Sequence, residues 1–239
     1  MTDTLTIPAF FNGPPESGNG GYTCGRVAEL VDAEVVEVSL RSPPPLDTPL
    51  EVVRESERVL VRDGDTLVAQ GTPSELLVDV PGPVPPDEVA AAEIEGRSRW
   101  VTGHPFPTCL VCGPAREDGL RIFPSALSER DGLFGASWTP GASLDDGSGC
   151  VRRELVWAAL DCPTSAPVAN FGAGEAMVLA SLTARLGCAV RVGEPHTIIS
   201  WPLERDGRKR WGAAALYDSS GVLTCASRAL WIELKGQAG

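Results

Sequence analysis

The chain has 239 residues, 43% of them hydrophobic, and a formal net charge of −12. That is enough apolar material to bury a substantial core as one large domain or two small ones, while the acidic balance repels phosphates and opposes binding to DNA, RNA or an anionic membrane. No run of eighteen apolar residues occurs, and the start "MTDTLTIPAFF" has neither a basic region nor a long apolar one, so no membrane span, no secretory signal and a cytoplasmic location are expected. Seven cysteines, an odd number without a signal, fit reduced thiols better than a disulfide framework.

Taken in chain order, "GGYTCGRVAELVD" reads as a helix, entered through the small residues Gly18, Asn19, Gly20 and Gly21. Alternation then predicts strands in "AEVVEVSLRSPP", "LEVVRESERVLVRDG" and "DTLVAQGTPSEL", with Asp63-Gly64 as a hairpin turn. Breakers crowd residues 79–118 around an Ala- and Glu-rich piece, "DEVAAAEIEGRSRW", that has helical character. Beyond it "GLRIFPS" and "LFGASWTP" suggest strands, and "CVRRELVWAALDCP" a helix ended at Pro163. The segment "AMVLASLTARL" favours a helix by propensity but takes the place of a strand, and "HTIISWPLERDG", "RKRWGAAALYDSSG" and "VLTCASRALWIEL" close the chain as strands parted by Asp206-Gly207 and Ser220-Gly221. Both halves therefore share one plan, a helix followed by a meander of antiparallel strands.

The glycine-rich helix entrance has a chemical reading. First-turn amides lack partners inside a helix, and the aligned peptide dipoles add positive charge there. Gly20 and Gly21 carry no β-carbon, so a carbonyl group could approach those amides closely. One donor aimed at a developing oxyanion is worth about 2.7–4 kcal/mol. The plainer reading of "SGNGG" is a flexible helix cap and turn.

Three stretches carry a resemblance to a known family. "SGNGGYTCGRVAEL" resembles the glycine-pair entrance of a hotdog helix, "ELVWAALDCP" resembles the central helix of a second hotdog with its acidic residue, and the segment from "GEPHTIISWPLERDG" to "SRALWIEL" resembles the terminal meander of type II acyl-CoA thioesterases. The chain is thus similar to double-hotdog proteins of the acyl-CoA thioesterase superfamily, above all to actinobacterial thioesterase-like proteins. The resemblance implies an α+β double hotdog, with residues 1–80 and 119–239 as the two hotdogs and 81–118 as a connector. It implies a thioester hydrolase for acyl-CoA or a related thioester, without a cofactor. Carried over, Gly20, Gly21 and Tyr22 would bind the carbonyl, and Asn19 would stand where many hotdog enzymes have His; Asn can orient a carbonyl or cap the helix but cannot act as a base.

Asp161 would position or deprotonate the hydrolytic water. On the second helix Glu154, Trp157 and Asp161 share a stripe. A carboxylate near a helix C-terminus is opposed by the dipole, so it needs another reason to be there; the bland alternative is a solvated acid paired with an Arg. The counterpart site is incomplete, since "DDGSGCVRREL" lacks the Gly-Gly step and the first half offers only Glu29, one position out of register. One composite site per chain follows. The hydroxyl and Gln that accompany the Asp in type II thioesterases are not evident, Ala229 standing near the place of the Gln, and His196 and Thr197 are the substrate-binding candidates instead. A non-catalytic protein that binds acyl-CoA or lipid is the alternative.

Cys109 and Cys112 form a CxxC followed by Gly113, the shape of a zinc knuckle, with His104 just before it. A closed site needs four ligands, and Cys150, Cys162, Cys188 and His196 are distant in sequence and individually suited to a core, so no metal is expected and a buried thiol pair is the simpler reading. Arg205, Arg208, Lys209 and Arg210 surround a hairpin and suit either coenzyme A phosphates or plain solubility. The six Trp residues suit packing. Two fused hotdogs supply the pairing that single ones obtain by dimerising; a homodimer is nonetheless the expected assembly.

Overall fold

The computed structural model describes residues 3–169 and 176–234. Among the described residues, eleven strands form one antiparallel sheet: β1 (Thr4–Leu5), β2 (Val35–Leu40), β3 (Leu50–Glu55), β4 (Arg58–Asp63), β5 (Thr66–Pro73), β6 (Ser125–Ala126), β7 (Phe134–Trp138), β8 (Met177–Leu186), β9 (His196–Asp206), β10 (Lys209–Tyr217) and β11 (Leu223–Glu233). Their spatial order is β1-β3-β4-β5-β2-β8-β11-β10-β9-β7-β6. Helices are α1 (Gly20–Ala28), α2 (Pro86–Val101) and α3 (Arg153–Ser165).

In each half three consecutive strands form a meander, β3–β5 and β9–β11, because their turns are local, whereas β2 and β8 cross over to pair with β5 and β11, so the expected order with the strand after the helix leading the meander does not hold. Asp63-Gly64, Asp206-Gly207 and Ser220-Gly221 lie between consecutive paired strands, and each glycine has positive φ, at 54°, 57° and 82°. Ser56, also at positive φ, breaks the long "LEVVRESERVLVRDG" into β3 and β4. The two halves meet at β2 and β8, where Ser39 faces Ser181 and Val36 faces Ala184. "AMVLASLTARL" is a strand despite its helical residues, since β8 is paired on both sides, by β2 and by β11. Nonlocal ladders outweigh a propensity of a few tenths of a kcal/mol per residue.

Two further expectations fail. "GLRIFPS" is not a sheet strand: only Ser125–Ala126 pairs, because Leu120 and Ile122 donate instead to the Leu110 and Val111 carbonyls of the CxxC loop. Pro163 does not end its helix, which runs to Ser165. Hydroxyls serve the carbonyls of that last stretch: Thr164 donates to Asp161, Ser165 to Cys162 and Ser227 to Leu160.

The α1–α3 pair lies against one face of the sheet, α1 on β2, β5 and β8, and α3 on β8 to β11. A single apolar core runs from Leu5 through Val27, Leu155 and Leu182 to Trp231, crossing both halves. A second cluster of Val84, Val89, Ile199, Trp201, Ala213 and Tyr217 lies beneath α2, so the connector helix covers part of the second half. Trp211 is the one tryptophan that is only partly buried.

Candidate active site

The two central helices run antiparallel at backbone contact. A β-carbon on Gly21 would collide with Asp161 and lie 2.8 Å from the Trp157 carbonyl oxygen, and one on Gly25 would lie 2.6 Å from Glu154 Cα. The small residues four apart on α1 thus exist for helix packing. This corrects the sequence reading of Gly21, whose missing side chain admits α3 and not a substrate carbonyl.

The antiparallel arrangement brings the N-terminus of α1 to the C-terminus of α3. Asp161 is 1% exposed, and its Oδ2 accepts from the Gly21 amide at 2.8 Å and from Asn19 Nδ2 at 3.2 Å. The positive end of α1 offsets the unfavourable dipole end of α3, which accounts for a carboxylate at that position. Asp161 is therefore no solvated acid paired with an arginine. Its Oδ1 is buried and has no hydrogen-bond partner among the described residues. Burial pushes the carboxyl up to about 7, against the lowering effect of the Gly21 and Asn19 hydrogen bonds.

Asn19 is the N-cap of α1. Its Oδ1 accepts from the Tyr22 amide at 2.8 Å, and its Nδ2 reaches both Asp161 and, at 3.7 Å, Cys109 Sγ. One side chain thereby caps a helix and orients a carboxylate. Both expected oxyanion donors consequently have acceptors within the protein, Gly21 in Asp161 and Tyr22 in Asn19. The Tyr22 ring stacks on Phe11 at 4.0 Å. Gly20, the first residue of the helix, is the one whose amide has no acceptor among the described residues, and a β-carbon there would press on Leu179 at 2.8 Å.

Asn19, Gly20 and Asp161 share the wall of a cavity of about 680 Å³. Leu40, Phe106, Met177, Leu179 and Trp231 supply much of its apolar lining, Cys109, Cys112 and Cys162 stand beside Asp161, and Glu16, Arg41 and His104 add polar groups. Cavities of this size, apolar with a few convergent polar atoms, suit small-molecule ligands.

His196 and Thr197 do not line it. They begin β9, separated from the cavity strand β8 by β10 and β11. His196 Nδ1 bonds the Glu194 carbonyl oxygen at 2.8 Å and its ring lies near Trp138, while Thr197 pairs with Ser137 and Tyr217. Of the basic hairpin, Arg210 is buried, donating to the Val168 carbonyl and pairing with Glu233. Cys162, set aside as a core residue, instead joins Cys109 and Cys112, all three sulfurs lying within 4.8 Å of one another. Hydrogen bonds from the other two thiols hold Cys109 well below the usual thiol range. No spacing in the sequence signals that meeting. Arg41 had no local signal either.

No family model and no curated protein matches the sequence. Solved structures do match over nearly the whole chain. A tesB protein of Mycobacterium avium subsp. paratuberculosis is 14% identical at TM-score 0.61, covering 97% of this chain and 91% of its own. A conserved protein of unknown function with a hot dog fold from Alicyclobacillus acidocaldarius is 13% identical at TM-score 0.61, covering 98% and 93%.

This chain is a double hotdog. A third match, a candidate thioesterase from Novosphingobium aromaticivorans, agrees at 16% identity and TM-score 0.60, over 98% of this chain and 95% of that one. In double-hotdog terms α1 and α3 are the two central helices, and the Asp161 cavity lies at one of the two ends of their pair.

Proposed function

We propose that this double hotdog hydrolyses an acyl thioester of coenzyme A or a related carrier. The observation that carries the reading is Asp161 Oδ1, a buried acceptor without a partner in the wall of a large apolar cavity. In the mechanism, the acyl chain lies against Leu179, Met177 and Trp231, and Asp161 Oδ1 accepts a proton from the attacking water. The Gly20 amide and the positive end of α1 face the carbonyl oxygen as it gains charge. Asn19 and the Gly21 amide are positioning groups: they hold Oδ2 so that Oδ1 is presented to the water. Arg41, exposed at the cavity wall, suits a phosphate of the carrier.

A second reading is an acyl-CoA or lipid-binding protein without turnover. It is favoured by the engagement of Gly21 and Tyr22 with protein acceptors, which leaves fewer amides for an oxyanion than the family pattern supplies. A panel of acyl-CoA thioesters of graded chain length, followed by loss of thioester absorbance, separates the two. Turnover by the native chain that disappears in Asp161→Asn supports hydrolysis. Saturable binding without turnover in either protein overturns it in favour of the binding protein.

A further inference from the structure

We propose that Cys109, Cys112 and Cys162 form a zinc site with three thiolate ligands and a fourth position open to the cavity. The three sulfurs come from two elements that chain order keeps apart, the CxxC loop and the last turns of α3, yet they converge within 4.8 Å of one another. Zinc with sulfur ligands at about 2.3 Å in a tetrahedron sets neighbouring sulfurs about 3.8 Å apart, and Cys109 Sγ lies 3.8 Å from Cys162 Sγ. A set rich in thiolates selects zinc over magnesium or calcium.

The loop is shaped to present the pair. The Gly113 amide closes it onto the Cys109 carbonyl at 3.0 Å, and a β-carbon on Gly113 would sit 2.5 Å from that same oxygen, so the turn admits only glycine. Within the turn, Leu110 donates to the Asn12 carbonyl, and the Leu110 and Val111 carbonyls accept from the Leu120 and Ile122 amides. The two residues between the cysteines are therefore anchored before any ion binds. Thiolates need donors around them, and Asn19 Nδ2 supplies one to Cys109 at 3.7 Å.

The fourth ligand comes from the cavity. His104 lies close by, but Phe106 donates its amide to His104 Nδ1 at 3.0 Å, which places the ring proton on Nε2 and removes both nitrogens as ligands in that tautomer. Asp161 is not a member of the group either: Gly21 and Asn19 hold its Oδ2, and the ligand atoms that lie within 4.8 Å of one another are the three sulfurs alone among the described residues. All three cysteines line the cavity, so a water or the sulfur of a small thiol can complete the tetrahedron. Three protein ligands with an exchangeable fourth is the pattern of reactive, not structural, zinc. One Zn²⁺ held by three thiolates leaves a site of net charge −1.

The test is to express the full chain in zinc-supplemented medium, purify it with a phosphine reductant and measure metal by mass spectrometry. About one zinc per chain is expected, falling below about a tenth in Cys112→Ser and Cys162→Ser and unchanged in Cys188→Ser, whose cysteine is exposed and remote from the cluster in sequence. Because a buried serine can itself disturb folding, the native chain is also stripped with a chelator and titrated with Co²⁺. Intense visible bands and a thiolate-to-cobalt charge-transfer band are expected, and added 2-mercaptoethanol should shift the visible bands as the fourth ligand becomes sulfur. A zinc-free native chain without cobalt bands, or a disulfide among the three cysteines, overturns the site; cobalt bands unmoved by the thiol overturn the open position.

Discussion

The two ends of the α1–α3 pair are related by the repeat, yet they have diverged into opposite chemistry. At one end Asn19 caps α1, Gly21 admits α3, and Asp161 borders a cavity of about 680 Å³. At the other, Arg152 occupies the cap position of α3 without a side-chain cap bond, and Glu154 stands in the first turn where the first end has glycine. Ala28 follows Gly21 by the same seven residues that separate Asp161 from Glu154, so the acid nearest the equivalent place is Glu29, one position late. Burial and the neighbouring Glu154 push the Glu29 carboxyl up, opposed by Arg26. The space there, bordered by Glu29, Arg153 and Trp157, is about 220 Å³. A carboxylate becomes a site only where a bare helix N-terminus and a cavity meet it; one more side chain at the helix crossing converts the same frame into an ion-pair cluster.

The comparison is most directly broken at the acids. Asp161→Asn, nearly isosteric, is expected to lower kcat by about 10²–10⁴-fold while circular dichroism stays native, whereas Glu29→Gln should leave kcat within about twofold. Equal losses in both variants would mean that the ends are functionally alike. Next in size is the helix crossing. Gly21→Ala forces α3 away and is expected to cost about 3 kcal/mol in chemical denaturation, against about 1 kcal/mol for Gly64→Ala, where positive φ is the penalty and no atom lies within 4 Å.

The positioning role of Asn19 sharpens the contrast further. Asn19→Ser keeps a competent cap but cannot reach Asp161; kcat is expected to fall about tenfold with KM little changed and a stability loss of about 1 kcal/mol. A change confined to stability would make Asn19 a cap and nothing more. The smallest effect belongs to Arg41→Ala, for which KM with a coenzyme A ester should rise about two- to fivefold at low salt and the difference should shrink as salt is added.

Much of the fold was legible because its signals are local. The Asp63-Gly64, Asp206-Gly207 and Ser220-Gly221 turns appear where expected, and the short Ala- and Glu-rich segment is α2. "GLRIFPS" misled because the apolar residues that suggest a strand are bound to the CxxC loop and not to the sheet. At the site, Asp161 accepts from Asn19, the expected donors Gly21 and Tyr22 bond to those same two side chains, and His196 and Thr197 lie beyond two intervening strands. Strand residues so far from the helices in order cannot be placed by alternation alone, since alternation reports which face a side chain occupies and not which neighbour it meets.

Turn chemistry, alternation and helix periodicity act between residues a few positions apart, and those terms define the helices and the two three-strand meanders of this chain, but not the crossover pairing of β2 with β5 or of β8 with β11. The antiparallel contact of α1 with α3 is another matter. It joins Gly21 to Asp161 across 140 positions, as the packing of the CxxC loop brings Cys109 to Cys162 across 53, and such meetings depend on how two faces pack, which no local spacing encodes. Packing decided that Gly21 serves the helix crossing, that Asp161 is buried with one oxygen unpartnered, and that three scattered thiols share one wall of a cavity.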